Sequence, residues 1–360
     1  MTAHETLPTT ERLLALIRGM AGQPVVLLVD LVADRFITGI PKRISREAPV
    51  LILSYQGEVL APGGGANAVA NVAALGGRPL PLGVVGDDPS GRELVAALAG
   101  LGVETGGILT RPGYRTPTKV RILGGGRHSI KQQIVRYDIE DHLTLTADDR
   151  RRFARQLAGW AGEAAPAMPP RVAILSDYGY GAVEPAFLPE VRAALGSAAI
   201  LVGDSRYRLG ELAGLDGATP NEEEAEALLG RTIEDDPGRL EAGGRSLLAR
   251  LGARFLLITR GSRGMSLFAE AGTEDAGAAH LPVHGTDQVA DVTGAGDTVI
   301  GTFALGLAAG ATPLEAALLA NYAGGVVVMK MGTATLSPAE LARAVESDPR
   351  PLEELQWARS

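Results

Sequence analysis

Residues 291–310 read DVTGAGDTVIGTFALGLAAG. Gly294 and Gly296 leave the backbone bare where an apolar, alanine-rich run begins, and Asp297 follows at once. A helix starting here would turn its unpaired N–H groups and positive dipole end outward, a setting suited to phosphate oxygens. A carboxylate in the same first turn works against simple phosphate binding. It makes sense if Asp297 accepts a proton from a hydroxyl that attacks the phosphate. The plainer alternative is that Asp297 only caps the helix, a gain of about 1 kcal/mol.

Working outward, the first strong strand is 25–30, VVLLVD, a continuous apolar run of the kind buried in a parallel sheet. Pro62-Gly63-Gly64-Gly65 then opens an alanine-rich helix over 66–75. Strand-like and helix-like runs alternate from there: 80–86 before 92–101, 171–178 before 183–195, 198–204 before 222–229, then 254–260. Alternation of this kind predicts an α/β fold with a doubly wound, mostly parallel sheet flanked by helices. Residues 35–59 and 111–137 alternate like strands without intervening helices, which predicts a small sheet projecting as a lid over a ligand or against a partner. The chain is thus expected to hold an amino-terminal surface extension (1–22), one main domain (23–346) bearing the lid, and a carboxy-terminal tail (347–360). Its last third is expected to be mostly helical, from 295 to 345.

Composition removes several classes of function. At 360 residues and 37.3 kDa, one large domain with an insertion is the natural reading. The chain has no cysteine, so disulfides and thiolate chemistry are out. Its five histidines lack metal-ligand spacing. The net charge of −8, with no dense basic run, argues against nucleic acid as partner. No run of about 18 apolar residues and no signal-like start is present, so a cytoplasmic protein without membrane contact is expected.

Residues 291–298 resemble the carboxy-terminal signature of the ribokinase-like (PfkB) sugar kinases. Gly63-Gly64-Gly65-Ala66-Asn67 is similar to that family's sugar-binding segment. Asn221 and Glu224 look like its Asn-x-x-Glu motif, which organises magnesium and phosphate through water, and residues 259–264 (TRGSRG) resemble its nucleotide loop. The resemblance implies ATP as phosphoryl donor with Mg2+, and Asp297 as general base. The amides of Gly294, Ala295 and Gly296 would form the anion hole, with Thr259, Gly261, Ser262 and Gly264 at the nucleotide. It also implies a lid that closes over the sugar and serves as a homodimer interface. As in some relatives, a potassium ion is a further expectation, near Lys330-Met331-Gly332 and Asp291.

A narrower resemblance comes from RISREAPV (43–50), TKVR (118–121), QQIVRYD (132–138), Ser176-Asp177-Tyr178 and GTATLS (332–337). Together these look like the kinase half of bacterial ADP-heptose synthases. That implies phosphorylation of the anomeric hydroxyl of D-glycero-D-manno-heptose 7-phosphate in lipopolysaccharide core synthesis, with no nucleotidyltransferase in these residues. Three positions depart from the pattern. Val29 precedes Asp30 where glycine is common, Tyr180 stands where a lysine follows Ser-Asp-Tyr, and Asp204-Ser205-Arg206 replaces Asp-Pro-Lys. Arginine binds phosphate but is not interchangeable with lysine, and tyrosine supplies no cation.

Other residues carry a sharp reading and a bland one. Asp30 and Asp34 lie at and beyond a strand end, where carboxylates can bind sugar hydroxyls or merely form local turns. Asn67 is a sugar ligand or a helix-start residue. Arg43, Arg121 and Arg136, with Lys119 nearby, suit a sugar phosphate or are simply solvated. Asn321 flanks adenine or is a buried amide, and the acids of 222–226 beyond Glu224 stabilise a helix start. Two other classes stay open. One is a sugar or nucleotide sensor without turnover; the other is a dinucleotide oxidoreductase, although LVADRF rather than GxGxxG follows the first strand.

Overall fold

The computed structural model describes residues 7–126, 131–161, 168–233, 236–271, 273, 275–285 and 290–359. His4, His128, part of the lid (127–130) and part of the loop before the 291–298 segment (286–289) lie outside the described residues. Helix α1 (Thr10–Gly19) leads into strand β1 (Pro24–Val29) and two long strands, β2 (Leu31–Ile44) and β3 (Leu51–Gly64). Next come α2 (Gly65–Ala74), β4 (Arg78–Gly86), α3 (Pro89–Gly100), β5 (Ile108–Arg111), β6 (Thr118–Gly124), β7 (Gln132–Ile139) and α4 (Ala147–Ala161). The middle of the chain forms β8 (Val172–Asp177), α5 (Leu188–Leu195), β9 (Ile200–Ser205), β10 (Gly217–Ala218), α6 (Glu222–Leu229), α7 (Pro237–Leu251), β11 (Phe255–Thr259), β12 (Met265–Ala269) and β13 (Gly277–Leu281). Helices α8 (Ala295–Ala308), α9 (Pro313–Val327), α10 (Pro338–Ser347) and α11 (Arg350–Glu353) precede the last strand, β14 (Gln356–Arg359).

The main sheet has 10 strands in the order β14-β13-β12-β11-β10-β9-β8-β1-β4-β5. From β11 to β5 every neighbouring pair is parallel, and β12, β13 and β14 are added antiparallel at one edge. Every residue of β1 is buried, which explains its unbroken apolar sequence. Its side chains alternate between two cores. Val25, Leu27 and Val29 join α1, α2, α8, α9 and α10, while Val26 and Leu28 join α4, α5 and α7. The doubly wound expectation therefore holds.

The second sheet is real but larger than the sequence indicates. Its order is β3-β2-β6-β7, spanning 31–64 and 118–139 rather than 35–59 and 111–137. Residues 108–111 belong instead to the main sheet, as β5 beside β4. The two sheets meet without a linker: only Asp30 separates β1 from β2, and β3 runs directly into α2. At that junction Gly64 adopts φ 49°, and an added Cβ would lie 2.8 Å from the Val32 side chain.

Both chain ends also differ from expectation. The extension is no surface appendage, because Leu13, Leu16 and Ile17 of α1 are buried in the first core. Arg12 further ties α1 to α9 through Glu315 at 2.8 Å. The expected tail contributes β14, which pairs with β13. Short amphipathic pieces look detachable in sequence because their partners, Glu315 and β13, are remote in the chain. Leu13→Ala should therefore destabilise the whole domain by about 2–5 kcal/mol, read as a lowered urea midpoint with unchanged slope.

Candidate active site

The 291–298 segment does form a loop entering a helix start. Gly294 is the N-cap of α8 at φ 78°, where a Cβ would lie 2.4 Å from the Asn67 amide nitrogen. The Ala295 amide donates to Val292 O at 3.2 Å, so it is withdrawn from the expected anion hole. Among the described residues, the Gly294 and Gly296 amides have no acceptor and stay open to one. Asp297 sits in the first turn of α8 and is only 3% exposed. Tyr178 donates its hydroxyl to Asp297 Oδ1 at 2.8 Å, and Asn67 Nδ2 donates to Oδ2 at 3.2 Å. Burial pushes the Asp297 carboxyl up to about 7, against the lowering effect of those two donors. A carboxyl poised there can accept a proton near neutral pH.

Asp30 has a different role from the expected sugar contact. Its Oδ2 accepts the Tyr178 and Tyr180 amides, each at 2.9 Å, and its Oδ1 accepts the Ala182 amide at 2.8 Å. This buried carboxylate anchors the loop after β8. Asn67 is likewise turned inward, donating to Gly294 O at 3.1 Å as well as to Asp297, and its own Oδ1 accepts from Asn71. Both side chains are thus engaged by partners within the protein. Asp34 fits the expectation better, because it lies close enough to Asp297 to raise its pKa, and it pairs with Arg121. Gly63 gives Asp34 its room, since a Cβ there would lie 2.5 Å from the carboxylate. Gly65 packs as closely on Val29, so the glycine run leaves no room for side chains here.

Three clefts converge around this centre. An apolar one of about 190 Å³ is lined by Thr259, Gly261, Ser262, Gly264, Asn321 and Gly296, which brings the predicted nucleotide residues together. Asn321 spends a donor on Pro282 O at 2.7 Å, so it is also a structural amide. A polar cleft of about 550 Å³ shares Thr259, Val292 and Gly296 with the first, and adds Tyr178, Asp204, Arg206, Thr219, Asn221 and Glu224. A third, of about 770 Å³, lies under the second sheet and is lined by Phe36, Arg121, Lys131, Arg136, Asp291 and Thr333, among others.

Among the described residues no group of three or more acids or histidines is placed to hold a metal ion, and the polar cleft instead offers Asp204 and Glu224 to a cation that would share its remaining ligands with phosphate or water. Burial and the neighbouring charges of Glu224, Asp297 and Asp177 push the Asp204 carboxyl well up, a repulsion that a bound cation would relieve. Thr219 Oγ1 is buried beside them and has no hydrogen-bond partner among the described residues. Asn221 and Glu224 also form a reciprocal capping box at the start of α6, each amide donating to the other side chain at 2.9 Å. Asp291, expected beside a potassium ion, is held by two backbone amides. Its Oδ1 accepts the Thr293 amide at 2.9 Å and its Oδ2 the Gly332 amide at 3.0 Å, clasping two loops.

Of the predicted cations, Arg121 and Arg136 line the lid cleft, whereas exposed Arg43 bonds Ile44 O at 3.4 Å. Tyr180 is not among the residues lining these clefts, and its hydroxyl bonds Glu140 at 3.2 Å. Arg206 keeps a positive charge in the polar cleft where the lysine would stand. Sequence reasoning misses Tyr178 as the partner of the base, although Ser176-Asp177-Tyr178 marks its segment. It also misses Thr219, whose place becomes clear only once β9, β10 and α6 are brought together.

Comparison with known proteins agrees with this geometry. The model of the pfkB family carbohydrate kinases matches residues 29–148 and 206–340. The bifunctional protein HldE of Mesorhizobium japonicum is 38% identical over 94% of this chain and 65% of its own length. That of Azotobacter vinelandii is 39% identical over 90% of this chain and 64% of its own length. The chain thus spans somewhat less than two thirds of these relatives. Phosphofructokinase-2 of Escherichia coli, in complex with substrates and products, shares the fold at a TM-score of 0.69 and 19% identity, covering 90% of this chain and 99% of its own. Ribokinase of Arabidopsis thaliana, complexed with ribose and ATP, does so at 0.67 and 21%, with the same coverage. Matched across both halves of its main sheet, the chain belongs to the pfkB family of carbohydrate kinases.

Proposed function

We propose that the chain is an ATP-dependent kinase for a phosphorylated sugar, with the anomeric hydroxyl of D-glycero-D-manno-heptose 7-phosphate as acceptor. The observation that carries this reading is the buried Asp297, poised near neutral pH at a helix start where an apolar and a polar cleft meet. Adenine would occupy the apolar cleft and the phosphates the polar one, with the γ-phosphate at the Gly294 and Gly296 amides. Asp204, Glu224 and Thr219 would hold Mg2+, directly or through water, and the ion would neutralise phosphate charge. The sugar would lie beside Asp34, its distal phosphate towards Arg121, Arg136 and Lys131. Asp297 then takes the hydroxyl proton as the sugar oxygen bonds to phosphorus. The bond from phosphorus to the β–γ bridging oxygen breaks, and ADP leaves with that electron pair.

The heptose assignment rests on the identity to HldE proteins and on the cations of the lid cleft. A pfkB kinase for another sugar, sugar phosphate or nucleoside is the alternative. A sensor without turnover is disfavoured by the intact Asp297 and helix start. A homodimer through the second sheet is also part of the proposal. Tyr55, Val135 and Tyr137 are 64%, 47% and 50% exposed on the face turned away from the cleft, an apolar surface that a second copy would bury.

A coupled ADP-release screen tests the substrate directly. Heptose 7-phosphate should outpace ribose, fructose, fructose phosphates and nucleosides, and a preference for any unphosphorylated acceptor would overturn the assignment. Asp297→Asn should lower kcat by about 10²–10⁴-fold with nucleotide affinity nearly intact, and the wild-type rate should rise with pH through about 7 as the carboxyl ionises. Arg121 is unsuited to testing the distal phosphate, because its removal strands the buried Asp34 charge. Half-exposed Arg136 serves instead: Arg136→Ala should raise KM for the sugar phosphate about tenfold and leave that for ATP unchanged. Sedimentation should report a dimer that Val135→Asp converts to monomer.

A further inference from the structure

The reaction described above uses Asp297 but leaves its partner Tyr178 without a role. Tyr178 is held from several directions. Its backbone amide is bonded to Asp30 Oδ2 at 2.9 Å, and a Cβ on Gly64 would lie 3.2 Å from its ring. The Lys119 ammonium lies 5.1 Å from the ring centroid, a cation–π distance. The hydroxyl so fixed donates to Asp297 Oδ1 at 2.8 Å, and Asn67 covers Oδ2. Tyr178 also lines the polar cleft, so the contact lies at the edge of the space where the phosphates would sit.

We propose that Tyr178 is a positioning residue for phosphoryl transfer: its hydroxyl, carried on the loop that Asp30 anchors, aims the Asp297 carboxylate and favours its charged form before the acceptor arrives. The inference rests on the reading of Asp297 as the general base. A phenol here has a single proton to give, so its bond to Oδ1 favours the charged carboxylate over the protonated one. Oδ1 retains a second lone pair for the substrate hydroxyl, so the tyrosine need not leave. The groups facing Asp297 come from every neighbouring element. Tyr178 (after β8), Asn67 (α2) and Lys119 (β6) favour the anion, while Asp34 (β2) and Asp204 (β9) oppose it. Two acids and burial stand against one cation and two hydrogen bonds, and Tyr178 heads the lowering influences. The Asp30 anchor acts at one remove. Its three amide bonds fix the loop, the loop fixes the ring, and the ring fixes the base.

The test is the acid limb of the kcat/KM profile, measured with the best acceptor from the substrate screen. Tyr178→Phe keeps the ring and its contact with Lys119 but removes the donor. The limb should move up by about one pH unit, a loss of roughly tenfold below it that largely recovers at high pH. Incorporating 3-fluorotyrosine at 178 makes the phenol a stronger donor and should move the limb the opposite way, which a purely structural role does not produce. A limb unmoved in both proteins, with Asp297→Asn inactive, would overturn the Tyr178 role and leave the base assignment standing. Retained turnover in Asp297→Asn would remove the base assignment itself. If Tyr178→Phe fails to fold by circular dichroism, the fluorotyrosine shift alone decides.

Discussion

Three backbone amides converge on one buried carboxylate, that of Asp30, and the geometry of the site depends on this convergence. The acid follows β1, a fully buried strand, and takes hydrogen bonds from Tyr178, Tyr180 and Ala182 in the loop after β8. Burial nevertheless holds the Asp30 carboxyl up at about 6, so the three amides offset only part of its desolvation. Such a group is costly to strand and specific in what it accepts. It therefore selects a single path for the chain beside Asp297. The two buried acids are complementary. Asp30 is saturated by rigid amides and organises structure, whereas Asp297 is met by side chains that leave a lone pair for chemistry.

The parallel sheet is legible in the sequence because β1, β8 and β11 are buried on both faces and so read as unbroken apolar runs. The helix start at 294–297 is legible because glycine, glycine and aspartate there have few other uses. The role of Asp30 is not, since a strand-end aspartate looks the same whether it meets a sugar or the amides of a loop 150 residues away. Asn67 misleads for the same reason. Its amide suits a ligand, yet the structure turns it on Asp297 and Gly294. Helix α1 and strand β14 are under-read because their apolar faces are short and their partners are remote in the chain. The second sheet is recognised, but its boundaries are set by pairing with β6 and by the Gly64 junction, neither of which periodicity reveals.

Several motif residues turn out to serve the fold and the site at once. Asn221 and Glu224 cap α6 while edging the polar cleft, and Asp291 clasps two loops beside the lid cleft. Double use of this kind ties the fold and the cleft to the same few residues. Each side chain satisfies a backbone amide as well as shaping a wall of the cleft.

The direct joining of the two sheets has a mechanical consequence. With a single residue between β1 and β2, and none between β3 and α2, the small sheet is no flap on a string but the long arm of a lever. Its fulcrum is the Asp30–Gly64 junction, where Leu31 pairs with Gly64. Its short arm carries Asn67, bonded to Asp297. The outer strands and Asp297 are therefore joined by unbroken backbone and a single side-chain hydrogen bond, with no hinge segment between them.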